Sequence, residues 1–523
     1  MTPKTLQKDP SLLIGFLLCL LLQEVSMRGV TRLVTLPKKN PKKWRRSKTS
    51  EPCIHTATQV TIYRSNKIHS TSLPHAFMNY HPRVRRSMQL YDRALEIIPG
   101  ATQLISRRPQ RFAFGVSPVY IEHAQGARFT DVDGNQYIDW ASGILTIILG
   151  YCDPIVDAAV KKQIDLGSVY SLNHEIELEL AELLIDRIPC AEMVRFAKGG
   201  GDACAVAVRI ARGNTNKDKI LFCGYHGWHD WYQAANLTTT GTPPLDEHLF
   251  AGIEPIGIPQ ALANTAIPFP YGDLDRLEQT LIANRGEVAA IIMEPFRTSM
   301  PTEGYLAEVK KLAHAHDALL IFDEVSTGFR PADTGVQTIL GVKPDMAVFA
   351  KSISNGYAMG AIVGSRESMA GAAEMFISST YWSETLGIRA AITTLEEIRN
   401  RNTVDHIHHV GKTMASKLIE LGRQHDLPLT IAGLDYNPII QFDFEQTTCH
   451  KLNTIYIQEM AKLGIHTGLG LAINGSHGAE EIAETIAAAA QVFARLANGL
   501  ADDALDQLIE CELKTDSFRR LVK

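Results

Sequence analysis

The chain has 523 residues, 45% hydrophobic and 21% charged, enough to bury a full core and to form more than one domain. A formal net charge of -5 gives no reason to expect a nucleic-acid partner. Eight cysteines without a Cys-x-x-Cys spacing argue against a disulfide framework or a zinc site and fit reduced core thiols.

The N-terminal part differs from the rest. Residues 12–22 are almost wholly apolar and follow Lys4 and Lys8. That run is shorter than the roughly 18–20 residues of a membrane-spanning helix. Its length suits the apolar part of a signal peptide, but no small-x-small cleavage site follows cleanly. From Arg28 to Lys48 there are many basic residues, including Lys42, Lys43, Arg45 and Arg46, and no acid. Such a block is typically solvated and unstructured. Residues 1–86 are therefore read as an extension, disordered or targeting, with membrane contact only if the apolar run serves for it. The chain is placed in the cytoplasm.

Globular patterning begins near Ser87. Residues 120–139 read as a hairpin around the turn Asp133-Gly134-Asn135. Amphipathic helices follow at 154–166 and 175–187. Apolar strand-like runs then appear at 193–197, 219–222, 289–293, 319–322, 346–350 and 361–364. Helical stretches at 203–212, 274–283 and 305–316 lie between them. This alternation predicts a mostly parallel α/β sheet covered on both faces. Beyond Phe376 the pattern turns to long helices at 386–399, 406–422, 451–463 and 480–497, with a strand at 439–444. The division predicted is a large domain with its N-terminal segment, 87–375, and a smaller C-terminal α+β domain, 376–523.

Four segments carry chemistry. Ile321-Phe322-Asp323-Glu324-Val325 ends a buried strand in two acids, where open α/β sheets bind ligands. A strand ending in Lys351 follows, delivering a lysine to the same edge. Lys198-Gly199-Gly200-Gly201 lies between a strand and a helix, where the backbone approaches a ligand closely and helix amides favour an anion. No GxxxxGK[ST] is present, so a nucleotide P-loop is not supported. The loop from Tyr225 to Tyr232 is dense in aromatics and histidines. His226, His229 and Asp230 lack a metal-ligand spacing, and an aromatic platform for a flat ligand explains them better than a metal.

Together these segments resemble the class III pyridoxal-phosphate aminotransferases of fold type I, nearest the glutamate-1-semialdehyde aminomutase branch. The resemblance spans roughly residues 87–499. It is carried by the Asp323-to-Arg330 and Ala350-to-Gly364 segments, the Tyr225-His226-Gly227 loop, RFAKGGGDACAVAVRIAR and SSTYWSETLGIRAA. It implies a large domain with a mostly parallel, seven-stranded type of sheet, and pyridoxal 5′-phosphate as cofactor. Lys351 is then the catalytic Schiff-base lysine and the base at Cα. Asp323 faces the pyridinium nitrogen, Tyr225 and Val325 flank the ring, and Gly200 and Gly201 bind the phosphate. His226 and Glu294 lie beside the cofactor. Thr380 completes the site of a second copy, which implies a homodimer, and Arg107 is the substrate-binding residue, with Arg108 beside it.

Two positions depart from the family. Gly201 stands where a serine or threonine is usual, and Leu104 replaces a serine of the aminomutase. The function expected is transfer of an amino group between small-molecule amine and oxo compounds. The alternatives are an intramolecular amino shift, as in the aminomutase, or an inactive scaffold that binds without turnover.

Overall fold

A computed structural model describes residues 80–237, 254–295 and 299–515. The apolar run and the basic block lie outside the described residues.

The packed chain starts before Ser87. Pro82–Val84 form a helical turn that leads into α1 (Arg85–Ile97), with His81 accepting the Arg83 amide. Val84 is fully buried with Met88, Tyr91 and Phe114. A turn this short has no periodicity to read, which hides it in the sequence. Next come β1 (Ile121–Gln125), β2 (Arg128–Asp131) and β3 (Gln136–Asp139). They form an antiparallel meander of three strands rather than a single hairpin. The additional turn, at Gly126 with φ +59, is marked by one glycine alone.

Helices α2 (Pro154–Leu166) and α3 (Ile176–Arg187) follow. Asp153 caps α2 by accepting from the Ile155 and Val156 amides, with proline in the first turn. The chain then alternates: β4 (Met193–Ala197), α4 (Gly200–Thr215), β5 (Lys219–Cys223), β6 (Ala266–Pro268), α5 (Leu274–Ala283), β7 (Val288–Met293) and α6 (Tyr305–Ala315). After these come β8 (Leu319–Asp323), β9 (Met346–Phe349) and β10 (Gly360–Gly364). The seven strands pair in the order β4-β10-β9-β8-β7-β5-β6. From β9 to β6 all pairs are parallel, and β10 runs antiparallel to both its neighbours. Edge strand β6 is short and contains Pro268, so it gave no clear strand signal.

Every residue of β7, β9 and β10 is buried, as expected of a sheet covered on both faces. Successive side chains feed opposite cores. Leu221, Ile291, Leu320 and Phe349 pack with α2, α3, α5 and α6. Ile220, Ile292, Ile321 and Val348 pack with α4. Each fully buried Ile or Leu contributes about 1.5–3 kcal/mol.

The remaining elements are α7 (Thr385–Asn400), α8 (Thr403–Gln424), β11 (Leu429–Leu434), β12 (Asn437–Phe442), α9 (Gln446–Lys462), β13 (Ile465–His466) and α10 (Ala479–Ala501). The cores divide the chain differently from a boundary at Phe376. Ile388, Ile392 and Leu395 of α7 belong to the core of the large sheet. The C-terminal core, built on α8, α9 and α10, takes in Ala113, Val116, Ile138 and Trp140 from the N-terminal segment. Parallel pairing of β13 with β3 makes that connection. An amphipathic helix carries no mark of which core it joins, and long-range pairing of a two-residue strand leaves none either. Among the described residues no helix is long and apolar enough to cross a membrane.

Candidate active site

Strands β8 and β9 end side by side, so the residues at their C-terminal ends meet at one edge of the sheet. Asp323, Lys351, Gly200, Gly201, Tyr225, His226 and Val325 all line one cavity of about 310 Å3. Lys351 begins a short helical turn with its backbone in the left-handed region, φ +47. Its Nζ donates to Ser326 Oγ at 2.6 Å. Burial pulls the lysine below its ordinary range, and the carboxylates of Glu294 and Asp323 oppose that shift.

Asp323 is buried and triply held. His226 Nδ1 stands 2.7 Å from Oδ2, Cys204 Sγ donates to the same oxygen at 3.3 Å, and the Val325 amide donates to Oδ1 at 3.0 Å. Burial, with Asp323 adjacent, pushes the Cys204 thiol well up, so it stays a neutral S–H donor. His226 Nε2 is buried without a hydrogen-bond partner among the described residues. The next acid, Glu324, turns away from the cavity: it accepts from the Val336 amide at 2.8 Å and from Gln337 Nε2 at 3.1 Å. Burial pushes its acid up to about 7.

The glycines at the start of α4 are closely packed. A Cβ on Gly200 would lie 2.7 Å from Val325 Cγ1. One on Gly201 would lie 3.3 Å from the His229 ring, a tight contact. The first amides of this helix have no intrahelical acceptor and favour an anion.

Other expected residues lie elsewhere. Glu294, at the end of β7, accepts from the Tyr225 amide at 3.3 Å and so supports the loop under the cavity. Thr380 is exposed on a surface segment with Phe376, 89% exposed, and Tyr381. Arg107 lines a second cavity of about 540 Å3, and Arg108 does not. The two cavities share Thr146 and Gly356. The histidine-rich loop does not converge as a unit: His229 Nε2 pairs with Asp202 at 3.3 Å while His226 faces Asp323. Instead, donor atoms of Cys204, His226 and Asp323 come within 4.8 Å of one another. Two ligands on a tetrahedral zinc stand about 3.4 Å apart; the 2.7 Å between His226 and Asp323 is that of a hydrogen bond.

Sequence reasoning gave no role to Lys198, Cys204, Ser326 or Thr146, all of which line the smaller cavity. Cys204 and Ser326 lay inside segments already singled out. A helical step of four from Gly200 to Cys204 would have put the thiol on the glycine-bearing face.

The family model for class-III aminotransferases matches residues 112–477. The chain belongs to the class III aminotransferases. This aminotransferase is 36% identical to the 3-aminobutyryl-CoA aminotransferase of Cloacimonas acidaminovorans over 389 residues, covering 73% of this chain and 89% of that protein. It is 32% identical over 435 residues to the glutamate-1-semialdehyde 2,1-aminomutase of Citrifermentans bemidjiense, covering 79% and 99%. The solved FumI protein of Sphingopyxis sp. MTA144, in its pyridoxal-phosphate form, superposes with a TM-score of 0.72 at 26% identity, covering 80% of this chain and 97% of that one.

The cofactor of this aminotransferase is pyridoxal phosphate. The cavity fits it: a buried amine for the aldehyde, a carboxylate held by three donors for the ring nitrogen, and a helix start without side chains for the phosphate. When bound, pyridoxal phosphate supplies an electron sink for charge developing at the substrate carbon.

Proposed function

We propose that the protein moves an amino group between two separate small molecules, releasing an oxo product before a second substrate binds. The observation that carries this reading is the pair of adjoining cavities, the catalytic one of about 310 Å3 and a second of about 540 Å3. Tyr91, Phe112, Tyr120, Phe129 and Ile147 wall the larger one, and Arg107 adds one cation. That space is far larger than a five-carbon semialdehyde fills, and it suits an amine or oxo acid with an apolar body. An intramolecular shift requires the intermediate to be gripped until the amine returns. Leu104, 38% exposed, offers no polar side chain for such a grip. The name of the Cloacimonas relative, an aminotransferase, favours transfer as well.

In this reading Lys351 holds the cofactor and, once freed, moves a proton at the substrate carbon. Burial lowers its basicity, which favours the neutral amine that such a task needs. Asp323 keeps the ring nitrogen protonated, and His226, Cys204 and the Val325 amide fix its orientation. Tyr225 and Val325 flank the ring, the amides of Gly200 and Gly201 take the phosphate, and Glu294 steadies the loop carrying Tyr225. Arg107 is the residue that pairs with a substrate anion. The protein acts as a homodimer in the cytoplasm, with Thr380 of each copy reaching the other's phosphate; the exposed Phe376 and Tyr381 beside it support such a contact.

The test is a single turnover with an amino donor and no acceptor. One equivalent of free oxo product per protomer, followed by arrest, is expected. Repeated conversion of glutamate-1-semialdehyde to 5-aminolevulinate without added donor would establish the intramolecular shift instead.

A further inference from the structure

We infer that Ser326 is a positioning residue for Lys351, its hydroxyl holding the lysine amine in place and stabilising it when it carries a proton. This rests on Lys351 being the lysine that serves the cofactor.

Three observations carry it. First, Lys351 Nζ donates to Ser326 Oγ at 2.6 Å, the hydrogen bond the amine makes among the described residues. Second, both residues line the cavity that fits the cofactor. Third, Ser326 follows Asp323 and Val325 on one short stretch, and the Val325 amide is tied to Asp323 Oδ1 at 3.0 Å. The serine backbone is thereby anchored to the residue that faces the ring nitrogen, so carboxylate, wall and hydroxyl move as one unit.

The chemistry asks for such an acceptor. A freed lysine that takes a proton from the substrate carbon becomes an ammonium in a site where burial disfavours charge. The charged groups facing it are Glu294 at the end of β7, Asp323 at the end of β8 and Arg330 beyond it, with the Cys204 thiol on α4. Those carboxylates have other work: Asp323 already accepts from three donors and faces the ring nitrogen, and Glu294 accepts the Tyr225 amide. A hydroxyl oxygen at 2.6 Å supplies a charge-assisted hydrogen bond to the ammonium. Ser326 keeps its own proton throughout; it accepts and does not transfer.

The experiment compares the holoenzyme with Ser326→Ala and Ser326→Thr. An acceptor favours the protonated nitrogen, so its loss lowers the pH at which that nitrogen gives up its proton. The pH midpoint of the single-turnover rate, which follows the freed amine, should fall by at least about 0.5 pH unit in Ser326→Ala. Single-turnover transfer should slow about 10- to 100-fold, as for loss of a charge-assisted hydrogen bond. Ser326→Thr, which keeps the hydroxyl, should return both values toward those of the unaltered protein. Borohydride labelling of Lys351 in all three proteins secures the footing. With that label in place, an unchanged midpoint in Ser326→Ala overturns the role of Ser326 alone. Equal impairment by alanine and threonine also overturns it, since packing rather than the hydroxyl would then matter. A label on another lysine overturns both this inference and the reading beneath it.

Discussion

Replacing Asp323 with asparagine tests the electrostatic core of the site at nearly constant shape. The carboxylate offers two acceptor oxygens to three donors, His226 and Cys204 on Oδ2 and Val325 on Oδ1. Asparagine has one acceptor oxygen. It should turn that oxygen toward His226 and Cys204, leaving its amide NH2 against the Val325 N–H. One hydrogen bond becomes a donor–donor contact, which costs about 1–3 kcal/mol of stability. For a chain of this size that is a fall of one to a few degrees in Tm, on the order of 1 °C per kcal/mol. The larger effect is on turnover. Without a charge beside it the ring nitrogen is no longer kept protonated, and turnover should fall about 100-fold or more, equivalent to about 2.7 kcal/mol of barrier. Steady-state assays at saturating cofactor, with a thermal melt on the same samples, separate the two losses. Turnover within about threefold of the unaltered protein, with the melt lowered as predicted, would refute the reasoning.

Reduction of the holoenzyme with borohydride, followed by peptide mapping, should find the pyridoxyl group on Lys351. Thr380→Ala should weaken cofactor retention about 10-fold in equilibrium dialysis, the loss of one hydrogen bond to a charged group; unchanged retention would place the second copy elsewhere. Deleting the chain through Arg86 removes the fully buried Val84 and should cost about 2 kcal/mol in denaturant titration. Glu324 is pushed up to about 7 by burial, from an ordinary 4.5, so the folded chain holds its proton more tightly than the unfolded chain. Its contribution to stability is therefore full below about pH 4.5 and is lost as pH rises through about 7, by up to roughly 3 kcal/mol. Thermal melts across that range should slope accordingly, and Glu324→Gln should flatten the slope.

The sheet was legible because its strands are short, wholly apolar runs separated by amphipathic helices, a pattern that follows from burial on both faces. Asp323 and Lys351 were legible because each terminates such a run. Residues whose importance comes from a neighbour were not. Cys204 reads as one more small apolar residue on α4 until its thiol is seen against Asp323. Ser326 reads as part of a turn until the lysine reaches it. Arg107 and Arg108 are equivalent in sequence, and only the turn Ile105–Arg107 decides which one lines the larger cavity. The union of the N-terminal meander with the C-terminal core depends on β13, a two-residue strand far away in sequence.

Lys351 sits at φ +47, a conformation in which an L-residue with a Cβ is less comfortable than glycine or asparagine by about 1 kcal/mol or more. The fold thus holds a strained backbone at the end of β9, where the side chain reaches Ser326. In a mutant library sorted only by expression or heat tolerance, the strain relieved in Lys351→Gly or Lys351→Asn should offset part of the packing lost with the side chain. Any effort to harden this protein as a biocatalyst has to hold that position fixed or select on turnover at every round.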